Sequence, residues 1–248
     1  DLTFAACGGR TILRDSYCEV PFKITRLMES LQDSTAHLIL MHSTAGVFGG
    51  DELECSIHIK SGAYVRITQQ SATKIHPSGG RLARQINRIK VETGASLCLE
   101  LEPIIPFAES RFSQTTQIDL VQGAQLAYWE CMMSGRIGRN EQWKFDELAS
   151  ESRVSMDGRL LFLDRYSIVP AKVVPATNWA MGQSGYYGTG LYCGDRADAL
   201  AEELHERMPG AGIDLPAPGF TVVRVVAANG PDFHRYRKTW SCQTSRTA

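Results

Sequence analysis

One phrase, repeated three times, restricts this chain more than any other feature. Leu53, Cys55, Ile57 and Ile59 alternate with Glu54, Ser56, His58 and Lys60, which is the two-residue period of a half-buried strand. The run ends at Ser61-Gly62-Ala63 and alternation resumes at Val65 and Ile67, so Gly62 marks a corner that needs positive φ. The phrase returns at residues 89–101 around Thr93-Gly94-Ala95, and at residues 118–129 around Gln122-Gly123-Ala124. A period of about thirty residues is that of stacked repeats, in which each layer covers its neighbour's apolar face. The expected fold is mostly β, with stacked β-strand layers in a solenoid or β-helix-like form. A sandwich of hairpins is the alternative.

The sheet continues past the repeats. A further alternating run from Arg159 to Arg165 follows the turn Met156-Asp157-Gly158 and adds a strand pair. Helix comes late. Asp195 is placed to cap a segment through Met208, where Ala199, Leu200, Ala201, Leu204 and Met208 recur at helical spacing before Pro209-Gly210 stops it. A shorter helix is expected over residues 231–240, with Pro231 in its first turn, which makes about two α-helices near the C-terminus. Residues 209–219 read as a loop leading to a last strand at 221–226. With 248 residues, 43 % of them hydrophobic, one core is expected, a single domain over 1–248.

Charge and cysteine usage exclude several classes. Lys plus Arg number 26 and Asp plus Glu 27, so there is no bulk field to hold nucleic acid or an anionic membrane. No apolar run approaches the eighteen or so residues of a membrane span, and the stretch from Asp1 to Arg10 lacks the regions of a secretory leader, which points to the cytoplasm. A start at Asp1 and not at Met points to a few residues removed ahead of it. Seven cysteines, an odd count with no C-x-x-C pair, read as reduced thiols.

The chemistry-bearing residues are scattered. Gly46-Val47-Phe48-Gly49-Gly50-Asp51 lacks the Gly-Lys-Ser/Thr end of a P-loop and feeds a strand, so it reads as a tight turn with Asp51 fixed at its mouth. Six histidines show no H-E-x-x-H spacing, and no G-x-S-x-G elbow is present. Asp51, Glu102, Glu130 and Asp164 lie at strand ends or turns, where a pair of them could serve a β-solenoid carbohydrate-active enzyme. Ser71-Ala72-Thr73-Lys74 is an edge or a functional polar lining.

Six phrases in order resemble the urease accessory protein UreD family, called UreH in some organisms. They are HSTAGVFGGDEL at His42, ITQQSATKIHPSGG at Ile67, LELEPIIPFAESRF at Leu99, YWECMMSGRIGRNEQWKF at Tyr128, GRLLFLDRY at Gly158 and GTGLYCGDRADAL at Gly188. The resemblance implies a helical stack of β-strands with two helices and no catalytic activity of its own. It implies a urease maturation chaperone that binds UreF, through it the GTPase UreG, and docks on apo-urease. The family's cargo is nickel(II) in transit through an internal polar tunnel, with no permanently bound cofactor. Positions matching its tunnel lining are Asp51, Thr73, Glu130 and Asp164, and Asp51, Glu130 and Asp164 are the implied metal ligands. Such scattered oxygen donors suit an ion that must be released again. The C-terminal helices with Tyr186, Tyr187 and Trp240 are the expected partner surface. Two departures stand out: His42-Ser43-Thr44-Ala45-Gly46 replaces the usual His-Pro-Pro-Gly-Gly, and Glu130 and Asp164 each differ by one methylene from the commoner Asp and Glu.

Overall fold

The computed structural model describes residues 1–29, 35–172 and 184–244. The chain opens with a hairpin, β1 (Leu2–Cys7) and β2 (Arg10–Ser16), followed by short strands β3 (Phe22–Ile24) and β4 (Met28–Glu29) that pair with β5 (Ala36–His42). Next come the repeats. They are β6 (Glu52–Ile59), β7 (Tyr64–Gln69) and β8 (Thr73–Ile75); then β9 (Ala83–Val91), β10 (Ser96–Glu100) and β11 (Ile104–Pro106); then β12 (Arg111–Leu120) and β13 (Gln125–Met133). A hairpin of β14 (Glu147–Met156) and β15 (Arg159–Ile168) follows, then β16 (Tyr186–Cys193) and helix α1 (Ala197–Arg207). The hairpin β17 (Gly212–Ala217) and β18 (Phe220–Ala227) leads into helix α2 (Gly230–Thr244).

Each repeat gives its first strand to one sheet and its remaining strands to a second. β6, β9 and β12 lie parallel in a seven-stranded sheet of order β15-β14-β12-β9-β6-β1-β2. β7, β10 and β13 lie parallel in an eleven-stranded sheet whose main path is β17-β18-β16-β13-β10-β7-β5-β3. The corners between sheets are the Gly-Ala phrases. Gly62, Gly94 and Gly123 have φ of 74°, 64° and 81°, a region that costs an L side chain about 1 kcal/mol or more. The alanine after each glycine is buried, because a small side chain lets one corner sit on the next. Ser96 N–H donates to Ala63 O at 3.0 Å and Gln125 N–H to Ala95 O at 2.9 Å, so the corners themselves are hydrogen-bonded into a stack. The layered form is therefore the one adopted.

A third layer covers the outer face of the larger sheet. Leu200, Leu204 and Met208, with Phe233 and Trp240 of α2, pack on Trp129, Cys131, Tyr192, Val223 and Val225. Gly188 and Gly190 of β16 let these aromatics lie directly on strand backbone. A Cβ at Gly188 would meet Trp129 at 2.8 Å, and one at Gly190 would meet Trp240 at 3.0 Å.

Several sequence expectations change here. Asp195 does not cap α1: the helix starts at Ala197 after Arg196, with no side-chain cap, and Ala197 takes the inward place given to Ala199, which is exposed. The expected loop 209–219 contains β17, an exposed edge strand that tolerates Pro216 because its outer side needs no ladder donor. Helix α2 extends past Trp240 to Thr244, and Trp240 is fully buried, so it cannot be part of an exposed partner surface. Among the described residues no helix is long and apolar enough to cross a membrane.

Candidate functional site

Parallel strands in register place like positions side by side, so the inner face of the smaller sheet is laid out in rows. Ile57, Ile89, Ile118 and Val154 form one apolar row, and Ala83, Phe112 and Leu148 another. Two polar rows run between them: Gln85, Gln114, Ser150 and Tyr166, then Cys55, Asn87, Thr116, Ser152 and Asp164. Strand β13 faces them with Tyr128 and Glu130, and β16 adds Thr189 and Tyr187. A polar layer is thus enclosed between two apolar ones.

Hydrogen bonds knit this layer, as buried polar groups require. Gln85 Nε2 donates to Asn87 Oδ1 at 2.9 Å, and Asn87 Nδ2 to Thr116 Oγ1 at 3.1 Å. Ser152 Oγ donates to Glu130 Oε1 at 2.9 Å and the Tyr128 hydroxyl to Glu130 Oε2 at 2.8 Å. The layer borders a cavity of about 40 Å³, room for about three waters at roughly 10–15 Å³ each.

The electrostatics centre on Glu130. Burial pushes its carboxyl above the usual carboxylate range, although the hydrogen bonds from Tyr128 and Ser152 favour its ionised form. Asp164 raises it further and Arg224 lowers it, which places these three charges within one field. Arg224 Nη2 lies 3.3 Å from Asp164 Oδ2. Burial also raises the nearby thiols, Cys55 to about 11 and Cys131 to about 12, so neither offers a thiolate at neutral pH. Cys7, Cys18, Cys55, Cys98, Cys131 and Cys193 are free thiols. Among the described residues, no three His, Cys, Asp or Glu side chains gather as they would around a resident metal ion.

The expected site residues fall into two places. Glu130 and Asp164 share the polar layer. Thr73 borders the same cavity, where its Oγ1 accepts from Gln69 Nε2 at 2.8 Å. Asp51 lies apart from the cavity lining. It precedes Glu52, the register partner of Arg84, and so falls level with Ala83 in the apolar row. Its Oδ2 accepts from Phe48 N–H at 2.8 Å and closes the glycine turn. Glu102, singled out as an acidic strand-end residue, borders the cavity and is held by Arg237 of α2 at 2.6 Å. His42 also borders the cavity, with its ring edge-on to Phe22, and burial keeps it neutral.

The amide and hydroxyl rows escaped the sequence reading. Their signal is a parity signal: Gln85 and Asn87 occupy the inward positions between Ala83 and Ile89, and Gln114 and Thr116 those between Phe112 and Ile118. Polar residues at core positions of successive repeats mark a lined interior.

A family profile described as UreD urease accessory protein matches residues 1–246. The chain is similar to the urease accessory protein UreD of Acetivibrio thermocellus, 30 % identical over 197 residues, covering 79 % of this chain and 75 % of the relative. The Ralstonia nicotianae protein of the same name is 30 % identical over 246 residues, covering 93 % of this chain and 82 % of its own. That of Deinococcus radiodurans is 33 % identical over 234 residues, covering 93 % and 84 %. On this match across nearly its whole length, the chain belongs to the UreD family of urease accessory proteins, which implies a role in urease maturation.

Proposed function

We propose that this chain is a non-catalytic scaffold that passes nickel(II) to apo-urease through its polar layer, in a complex with UreF and the GTPase UreG. The pair Glu130, buried, and Asp164, part-buried, set among hydroxyl and amide rows, is the observation that carries this reading. Nickel(II) accepts oxygen and nitrogen donors, and two carboxylates without a third fixed ligand attract a dication and still release it. Thr73, which borders the same cavity, adds a hydroxyl to the donor set. Asp51 lies apart from the cavity lining, with its Oδ2 held by Phe48 N–H, so its share in the route is what its own variant tests.

A carbohydrate-cleaving reading finds less support. Glycosidase carboxylates flank an open cleft that admits a sugar, and ligand pockets usually hold about 300–1,000 Å³. The cavity beside Glu130 is about 40 Å³. In this reading nucleotide hydrolysis belongs to the partner, since Asp51 and its glycines form a closed turn. The test replaces Asp51, Glu130 and Asp164 singly by Ala and measures nickel loading of urease in the full accessory complex. Loss of loading in the Glu130 and Asp164 variants is expected; full activation by all three variants removes the transit reading.

A further inference from the structure

The polar layer has an open end. Strand β15 is the last strand of the smaller sheet, whereas the facing sheet continues from β13 through β16 and β18 to β17. Glu130, Thr189 and Arg224 are register partners across β13, β16 and β18. Exposure rises along this end, from 8 % for Glu130 to 13 % for the Asp164 side chain and 46 % for that of Arg224. A guanidinium therefore stands where two carboxylates would otherwise meet solvent.

Its hold is loose. Arg224 Nη2 lies 3.3 Å from Asp164 Oδ2, and its Nη1 lies 3.5 Å from the Tyr187 hydroxyl, the outer limit of a hydrogen bond. Tyr187 is fixed independently, since Thr189 Oγ1 donates to its hydroxyl at 3.1 Å. Elsewhere the same side chain is locked: Arg136 grips Glu141 with two bonds of 2.6 Å each and lies over the Phe107 ring at 4.0 Å. Among the described residues Arg224 has no such fork and no aromatic bed. Its guanidinium is also weakly hydrated, so it can occupy the mouth without a fixed water shell.

We infer that Arg224 is an exchangeable stopper that makes the mouth of the polar layer selective for divalent over monovalent cations. The inference rests on the transit reading and names the residue that sets its specificity. An entering ion must replace a positive charge already neutralising Asp164. A monovalent ion gains no Coulomb energy over the guanidinium and must also shed its water, whereas a dication doubles its attraction to each carboxylate. Once the dication sits between Asp164 and Glu130, the guanidinium swings to solvent. No bond is made or broken; one cation replaces another.

The test measures nickel(II) binding to the purified full chain by equilibrium dialysis, with and without about 100 mM potassium chloride. Arg224→Gln, and Arg224→Met, which retains the apolar stem, should bind nickel at least about tenfold more tightly than the parent in low salt. Both should lose most of that gain to potassium, while the parent is barely affected. Arg224→Lys keeps the charge and should stay within about twofold of the parent. Adding Glu130→Gln to Arg224→Gln should cancel the gain. If either neutral variant, melting at the parent's temperature, binds nickel no more tightly than the parent, the stopper is refuted. Urease loading separates the two readings: Glu130→Gln that loads urease fully removes transit, and leaves the dialysis result to stand or fall alone.

Discussion

Trp240 of α2 lies on the backbone of Gly190, so close that a methyl group at that glycine would meet the indole at 3.0 Å. Gly94 contrasts with it, having open space around its missing Cβ but φ of 64°. The first glycine is required by contact, the second by backbone conformation.

Gly190→Ala is therefore expected to lower stability by about 1–3 kcal/mol through overpacking, and to loosen α2 first. Gly94→Ala should cost about 1 kcal/mol through strain alone and leave α2 protected. Chemical denaturation gives the two losses, and hydrogen exchange shows whether α2 amides open selectively in the Gly190 variant.

Glu130 carries a stability cost. Its folded pKa is raised above the ordinary 4.5, so its ionisation opposes folding as pH rises through and beyond that value. Below it the group is neutral in both states and the penalty is absent. Glu130→Gln should thus stabilise the chain at pH 7 and do little or nothing near pH 4, while impairing nickel loading. Melting curves of both proteins at the two pH values check the sign.

Glu92 behaves in the opposite sense. It takes the Ser61 N–H and hydroxyl at 3.0 Å each and His58 Nε2 at 2.7 Å, tying one repeat's corner to the next. These hold its carboxyl down to about 2, led by the Ser61 backbone N–H. A lowered folded pKa stabilises above the ordinary 4.5, and that contribution fades as pH falls towards about 2. Glu92→Gln should cost about 1 kcal/mol at neutral pH, and the gap to the parent should close under acid, as read by denaturant melts.

Asn87 and Thr116 bond to each other in the middle of the polar rows. Replacing both by Leu and Val removes this pair at once and leaves only the Gln85 amide without its Asn87 acceptor, a smaller cost than Asn87→Leu alone, which also strands Thr116 and costs about 1–3 kcal/mol. The double variant should fold, fill the cavity and fail to load urease with nickel. Folding with full loading would mean that the ion travels elsewhere.

The strands and corners were legible because Gly62, Gly94 and Gly123 each separate two alternating runs, and local backbone chemistry decides such corners without help from the rest of the chain. Strand β17 was not, because Gly212, Pro216 and the Pro218-Gly219 turn after it resemble loop composition, and only pairing with β18 makes a strand of residues 212–217. Trp240 was misread because a C-terminal aromatic gives no sign of Gly190, fifty residues earlier, which receives it. Glu130 and Asp164 were named from a likeness to the family, and their meeting depends on register across β13, β14 and β15. Asp51 shows the limit of parity: it shares the inward phase of Leu53 and Cys55, yet its carboxylate turns back to close its own turn.

The polar rows run across the strands, from one repeat to its neighbour, and not along them. Each added strand lengthens such a wet path by about 4.8 Å, whereas longer strands only thicken the oily walls on either side. Reach in this architecture is set by how many times the phrase is copied, and bore by which side chains occupy two positions in each copy.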